Sequence, residues 1–361
     1  MIELIISKLL NDEDIAQKYN LNRSTISYMP TSTSRYKHYV HSRFNYTIFS
    51  DASPVLCVRF YSDKNSNARL EREYDIQRTI YTKYTNLKIP YPVSLFEING
   101  RKVMVEEAFA GKTLYKKWEE DRTTNNCHEV IEYATQVQML LNKNLILSNF
   151  TDFANEINAL TSQFIALYRP PPTEEALIMR LVNLLIDAFK DKSIYKRYTN
   201  GDFYPSNILL GLENEPILLD FESAEETHLY FLDWFSFIFY FNIPSKSIES
   251  LLNNNCDTTF ANALSYIKHP SHMSNNSIVR AQWLLFYMKE FLRKSLAYPK
   301  IETEIQRITM KSKLKTLFTG SNTRTQEFIR LARISLFILK TGGIRIFYHA
   351  AMEKMHTTGL L

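Results

Sequence analysis

Asp202, Asn207 and Asp220 are the residues whose types and spacing could together do chemistry. They fall within residues 198–222, which read YTNGDFYPSNILLGLENEPILLDFE. An Asp, an Asn five places on, and a second Asp opening a D-F-x triplet suit metal-assisted phosphoryl transfer. One carboxylate can accept the proton of an attacking hydroxyl, while an amide oxygen and a second carboxylate hold the Mg²⁺ ions that neutralise nucleotide phosphates.

Something rigid must hold these side chains together. Two short apolar runs, Ile208–Leu210 and Ile217–Leu219, flank a turn from Gly211 to Pro216. That pattern predicts a β-hairpin carrying both acids on one small unit. Downstream, the aromatic-rich stretch from Leu229 to Phe241 reads as a buried helix, with Asp233 inside it.

The stretch resembles the signature of the aminoglycoside phosphotransferase and choline kinase family, H-G-D-x-x-x-x-N followed by D-F-E or D-W-E. Gly201-Asp202, Asn207 and Asp220-Phe221-Glu222 match it, and Asn200 stands where the family has His. The resemblance implies Asp202 as catalytic base, Asn207 and Asp220 as Mg²⁺ ligands, and Asp233 as an acceptor for backbone of the catalytic loop.

Upstream, residues 35–44, 46–50 and 55–61 are rich in Tyr, Val, Phe and Ile and are separated by turn residues, a β-meander. Residues 65–84 place Leu70, Tyr74, Gln77, Ile80 and Tyr81 at helical spacing. Two further strands, 93–97 and 102–107, flank Asn99-Gly100, the strongest short hairpin signal. Three strands, one helix and two strands is the order of a kinase-like small lobe.

Kinase chemistry needs a cation on the third strand to hold phosphates and a helical Glu to orient it. Arg59 and Glu73 are expected there, although the family uses Lys, and Cys57 on the same strand face is the alternative occupant. By resemblance, the Glu106 carbonyl and the Ala108 N–H meet the nucleotide base. Where a Gly-rich phosphate loop would fall, the chain has Pro30-Thr31-Ser32-Thr33-Ser34, which reads as a linker.

Residues 12–29 look like a helix-turn-helix, but such a module needs a third helix and only eleven residues precede it. The expectation is a pair of short helices packing on a larger domain, without a nucleic-acid partner; a DNA-binding regulator is the lesser rival. From 113 to 196 the pattern is helical, with Val130, Tyr133, Ala134, Val137, Leu140 and Leu141 on one stripe and Leu177, Leu181, Leu184, Leu185 and Ala188 on another. Helices are also expected at 247–253, 258–266, 278–297 and 301–318.

No apolar run is long enough to cross a bilayer, and three scattered cysteines make neither a disulfide framework nor a metal site. With no secretory signal pattern at the N-terminus, a cytoplasmic protein is expected. The net charge of +5 is uneven: residues 310–361 hold nine Lys or Arg against two Glu, leaving −2 for the rest. This basic tail suits either peripheral contact with an anionic membrane or a solvated helix on the body.

The whole predicts an α+β, two-lobed protein-kinase-like fold. Residues 1–108 form a small antiparallel β lobe with one helix and a helical extension at 1–30. Residues 109–361 form a mainly helical lobe carrying the hairpin 198–222 and the tail 310–361. The implied reaction moves the γ-phosphoryl group of ATP or GTP, with Mg²⁺, to a hydroxyl of a small molecule or saccharide. The rival is a nucleotide-binding pseudokinase acting as scaffold or regulator.

Overall fold

The computed structural model describes residues 1–33, 43–121, 124–240, 276–297 and 300–319. Five antiparallel strands form the main sheet: β1 (Ser27–Thr33), β2 (Arg43–Ser50), β3 (Ser53–Tyr61), β4 (Pro92–Ile98) and β5 (Arg101–Glu107), in the order β1-β2-β3-β5-β4. Short turns fix the register. Asp51 and Ala52 join β2 to β3, and Asn99 and Gly100 join β4 to β5, all four at positive φ. That backbone matches the right-handed twist of the flanking strands.

The period-2 alternation of β3 separates two jobs. Leu56, Val58 and Phe60 point to one face, where they pack with Ile5, Ile6 and Leu9 of α1 (Ile2–Asn11). Cys57, Arg59 and Tyr61 therefore point to the other face. In register with Thr47, Asn45 and Arg43 of β2, they make one continuous row. Helix α3 (Asn67–Lys83) covers that second face, with Leu70 packed on Tyr61 and Met104. Its buried stripe is Leu70, Glu73, Gln77 and Ile80, while Tyr81 of the expected stripe is exposed.

Two expectations at the amino end are corrected. Of the two short helices expected within 12–29 only the first forms, as α2 (Glu13–Lys18); residues 19–26 hold no helix, and α1 lies ahead of that stretch. Asn20 adopts positive φ, and the Asn22 side chain accepts the Ser24 N–H at 3.1 Å, so these residues turn the chain. The chain then enters β1, which takes in Pro30 to Thr33 of the expected linker. Proline is tolerated because β1 is an edge strand, and the ladder is irregular between Pro30 and Ser32. The connection from β1 to β2 lies outside the described residues, as do Ser34 and most of the expected strand 35–44.

The chain groups into two compact units, a division that differs from a boundary at residue 108. The described residues of the first fall within Met1–Leu147 and Tyr195–Ile243, so the hairpin 198–222 belongs with the sheet. Besides the sheet, this unit holds β6 (Lys112–Thr113), α4 (Leu114–Glu120) and α5 (Thr124–Asn142). Further on come β8 (Ile194–Thr199), β9 (Ile208–Leu210), β10 (Pro216–Leu218), β11 (Glu225–Thr227) and α8 (Leu232–Tyr240), with the short β7 (Ile146–Ser148) ahead of them. Of the expected stripe in α5, Val130, Ala134, Val137 and Leu141 are buried, while Tyr133 and Leu140 are half-buried.

The second unit is helical in its described residues: α6 (Phe150–Tyr168), α7 (Pro172–Phe189), α9 (Asn276–Ala297) and α10 (Lys300–Thr319). Pro172 opens α7 at a position where no N–H is needed. The stripe buried in α7 is Ile178, Val182, Leu185 and Phe189; Leu177 is exposed, so the expected face is rotated. Trp283, Phe286 and Tyr287 of α9 are buried and pack on one another as core. The expected helices 247–253 and 258–266 and the tail beyond 319 lie outside the described residues. Among the described residues no helix is long and apolar enough to cross a membrane.

Candidate active site

The loop bearing Asp202 leaves β8 and is held from behind by one buried carboxylate. Asp233, at the start of α8, accepts the Asn200 N–H at 3.2 Å and the Gly201 N–H at 3.1 Å. Gly201 has φ +75, and a Cβ there would fall 2.1 Å from the Ser223 carbonyl oxygen. Only glycine fits such a place. The fully buried Arg197 supports the same loop, donating to Gln138 at 2.5 Å and to the Tyr198 carbonyl at 2.9 Å. It lies over the Tyr230 ring at 5.0 Å and 4.0 Å from Asp233.

Backbone bonds then bring the acids and the amide together. Asn207 donates its side-chain amide to the Asp202 carbonyl at 2.8 Å, and the Leu219 N–H donates to the Asn207 carbonyl at 2.8 Å. Asn200 donates to the carbonyls of Leu219 at 3.0 Å and Asp220 at 2.8 Å. Asn200 thus clips the loop bearing Asp202 to the D-F-E triplet. Strands β9 and β10 pair as the expected hairpin, with β6 added beside β9. Asp220 sits at φ +59, an uncommon backbone that Asp tolerates better than most residues.

On the sheet side, Arg59 donates to Glu73 of α3 at 2.5 Å. Its other terminal nitrogen pairs with the Glu106 carboxylate, which also accepts Gln77 at 2.7 Å. The Arg59 guanidinium lies 3.7 Å from Asp220. A second guanidinium enters from β2. Arg43 donates to Glu222 at 2.6 Å, to Glu73 at 3.2 Å and to Asp220 at 3.4 Å. Glu222 further accepts Tyr61 at 2.9 Å and Arg69 at 2.6 Å.

These charges set the protonation of the site. Burial pushes the Asp220 carboxyl up, but the Arg43 and Arg59 guanidiniums and hydrogen bonds outweigh it, holding the group below the usual carboxylate range. Glu73 is pushed up to about 7, burial and the neighbouring carboxylates outweighing Arg43 and Arg59. Burial also pushes the Cys57 thiol up to about 11.

Of the two candidates on β3, Arg59 meets Glu73, while Cys57 lies opposite Glu106 in the ladder. The Ala108 N–H, expected to meet a base, donates instead to the Val55 carbonyl at 3.0 Å, because the β3–β5 ladder runs one bond past Glu107. Glu106 was expected through its carbonyl, yet its buried side chain clamps Arg59. Sequence reasoning missed Arg43, Tyr61, Arg69 and Arg197. The register of β2 against β3 was the signal for Arg43, which lies directly opposite Tyr61.

No protein-family model matches the chain, and a comparison with curated proteins gives no match. Solved structures do resemble it, and they define the fold as the protein-kinase-like fold of the aminoglycoside phosphotransferases. The GDP complex of aminoglycoside 2'-phosphotransferase-IIIa aligns at TM-score 0.54 and 12% identity, covering 87% of this chain and 98% of that one. A thermostable mutant of aminoglycoside phosphotransferase APH(4)-Ia in its apo form aligns at 0.51 and 12%, covering 85% and 99%. Macrolide 2'-phosphotransferase MphH from Brachybacterium faecium aligns at 0.51 and 12%, covering 84% and 98%.

Proposed function

We propose that the protein transfers the γ-phosphoryl group of ATP or GTP to a hydroxyl of a small molecule or saccharide. The observation that carries this reading is the backbone-tied set of Asp202, Asn207 and Asp220, joined through the Asn207 amide, the Leu219 N–H and the Asn200 amide. Asp202 takes the proton of the acceptor hydroxyl as its oxygen bonds to the γ-phosphorus and the bond to the nucleoside diphosphate breaks.

Asn207 and Asp220 suit Mg²⁺. Asn207 commits its amide N–H to the Asp202 carbonyl, leaving its oxygen as acceptor, and the Asp220 carboxyl is held ionised. Among the described residues no group of three or more His, Cys, Asp or Glu could hold a metal. Two protein oxygens completed by substrate phosphates is the usual way this ion is bound. When bound it supplies positive charge against the phosphate oxygens.

Neighbours of the same fold, described as phosphotransferases of aminoglycosides and macrolides, support hydroxyl-bearing small molecules as acceptors. One is described with ADP and hygromycin B and another with GDP, which supports trying both nucleotides. The test is nucleotide consumption, with ATP and GTP in Mg²⁺, against aminoglycosides, macrolides, sugars, choline and nucleosides. Acceptor-dependent turnover that Asp202→Asn abolishes, with nucleotide binding retained, supports the reading; unchanged turnover in Asp202→Asn ends it. One observation favours a nucleotide-binding scaffold as the second reading: Arg43 lies against Asp220, the expected metal ligand. That reading predicts a nucleotide-dependent rise in Tm with no turnover.

A further inference from the structure

We propose that Arg43 on β2, rather than Arg59 on β3, is the side chain that grips the nucleotide phosphates, and that Arg59 is an internal strut. This rests on the phosphotransferase reading and assigns the cation of that same site.

The two guanidiniums differ in what holds them. Arg59 is forked between Glu73 and Glu106, one terminal nitrogen on each, and its Nε is buried without a partner. Both carboxylates are themselves buried, and Glu106 is further fixed by Gln77. A guanidinium neutralised on two sides by short contacts has little charge left for a phosphate, and withdrawing it would leave the buried Glu106 to the neutral Gln77 amide and the buried Glu73 to Arg43 alone.

Arg43 is placed otherwise. Its contacts to Asp220 are long, 3.4 Å from each terminal nitrogen, and Asp220 is the most exposed acid of the cluster, at 34%. A divalent cation on Asp220 and a guanidinium against the same carboxylate repel each other, so metal arrival weakens this contact. The carboxylates that Arg43 would leave keep other donors: Glu73 retains Arg59, and Glu222 retains Arg69 and Tyr61. Asp220 passes to the metal. Arg43 can then turn its planar fork to phosphate oxygens, which it suits bidentately. The exchange moves one cation from an acid to an anion and leaves no buried charge unpaired.

The test measures binding of Mg-ATP, Mg-GTP, inorganic tripolyphosphate, adenosine and guanosine by calorimetry in the full chain and in Arg43→Ala, Arg43→Lys and Arg59→Lys. Arg43→Ala is expected to weaken triphosphate and tripolyphosphate binding about tenfold or more, leave nucleoside binding within about twofold, and change Tm little. Arg43→Lys recovers part of the loss. Arg59→Lys, which keeps the charge but cannot fork between two carboxylates, lowers Tm with a smaller effect on triphosphate affinity.

Unchanged or tighter triphosphate binding in Arg43→Ala overturns the proposal, the tighter case marking Arg43 as a competitor of the nucleotide. So does a large affinity loss confined to the position 59 variant. If tripolyphosphate binding depends on Arg43 while no acceptor is phosphorylated, the assignment of Arg43 stands and the transfer reading falls. If transfer proceeds equally well in Arg43→Ala, the reverse holds. Failure of the unaltered chain to bind any triphosphate overturns both.

Discussion

Asp233 accepts the Gly201 N–H through one carboxylate oxygen at 3.1 Å and spends the other on the Asn200 N–H. A single side chain on α8 thus sets the backbone immediately before Asp202, the proposed base. The Asp233 carboxylate is buried, so its two backbone donors and the nearby Arg197 are what make its charge tolerable there. Asp233→Asn keeps one acceptor oxygen and turns an NH₂ group towards a backbone N–H. The expected cost is about 1.5–3 kcal/mol, the range for hydrogen bonds to charged groups. Urea denaturation measures it, and a change within error would mean that the carboxylate does not organise the loop.

Gly201→Ala tests the same loop through its backbone. The residue sits at φ +75, and the new methyl would meet the Ser223 carbonyl oxygen at 2.1 Å, an atom of the main chain that cannot swing aside. Left-handed strain alone is worth about 1–3 kcal/mol, and relieving the clash must displace either Asp202 or the segment after Glu222. Turnover is expected to fall more steeply than stability, seen as a loss of kcat in protein that still melts cooperatively. Normal turnover would show that the loop accommodates a side chain.

Much of this site was legible in sequence because it is local. Asp202 to Asp220 span one hairpin and its approach, where turn residues and two apolar runs leave few arrangements. The β3-α3-β4-β5 order was legible for the same reason, with Asn99-Gly100 marking its hairpin. What escaped was non-local. Arg43 and Tyr61 reach Glu222 across 179 and 161 residues, and no spacing rule connects them. The face on which Arg43 falls depends on the register of β2, and that strand begins inside a stretch read as one strand from 35 to 44. At the amino end local pattern misled: Asn22 to Ser27 suits a helix start and a turn equally, and pairing of β1 with β2 decides for the turn.

Cys57 gives a chemical check on burial at the sheet. Its thiol is pushed up to about 11 by burial, so at neutral pH it stays protonated and unreactive, since the thiolate is the nucleophile. Alkylation by iodoacetamide, mapped by mass spectrometry, should be far slower at Cys57 than at a cysteine in a denatured control, and should rise steeply as pH approaches 11. Labelling at the denatured rate near pH 8 would place Cys57 in solvent.

The acid dependence of stability should identify Asp220 as a carboxylate favoured by the fold. Arg43 and Arg59 hold its carboxyl below the usual range despite burial, so the folded chain prefers the ionised form more than the unfolded chain does. The sign follows directly: a depressed carboxyl contributes stability that is fully present above the unfolded value, about 4, and is lost as pH falls through the folded value. Asp220→Asn removes the titrating group and leaves Arg43 with Glu222 and Glu73. Stability of the unaltered chain relative to Asp220→Asn should be greatest near pH 7 and shrink as pH falls below about 4, measured by urea denaturation at each pH. A gap that stays constant over that range would mean that the two guanidiniums do not favour the Asp220 charge, and the site would lose the ionised oxygen that suits it to a divalent cation.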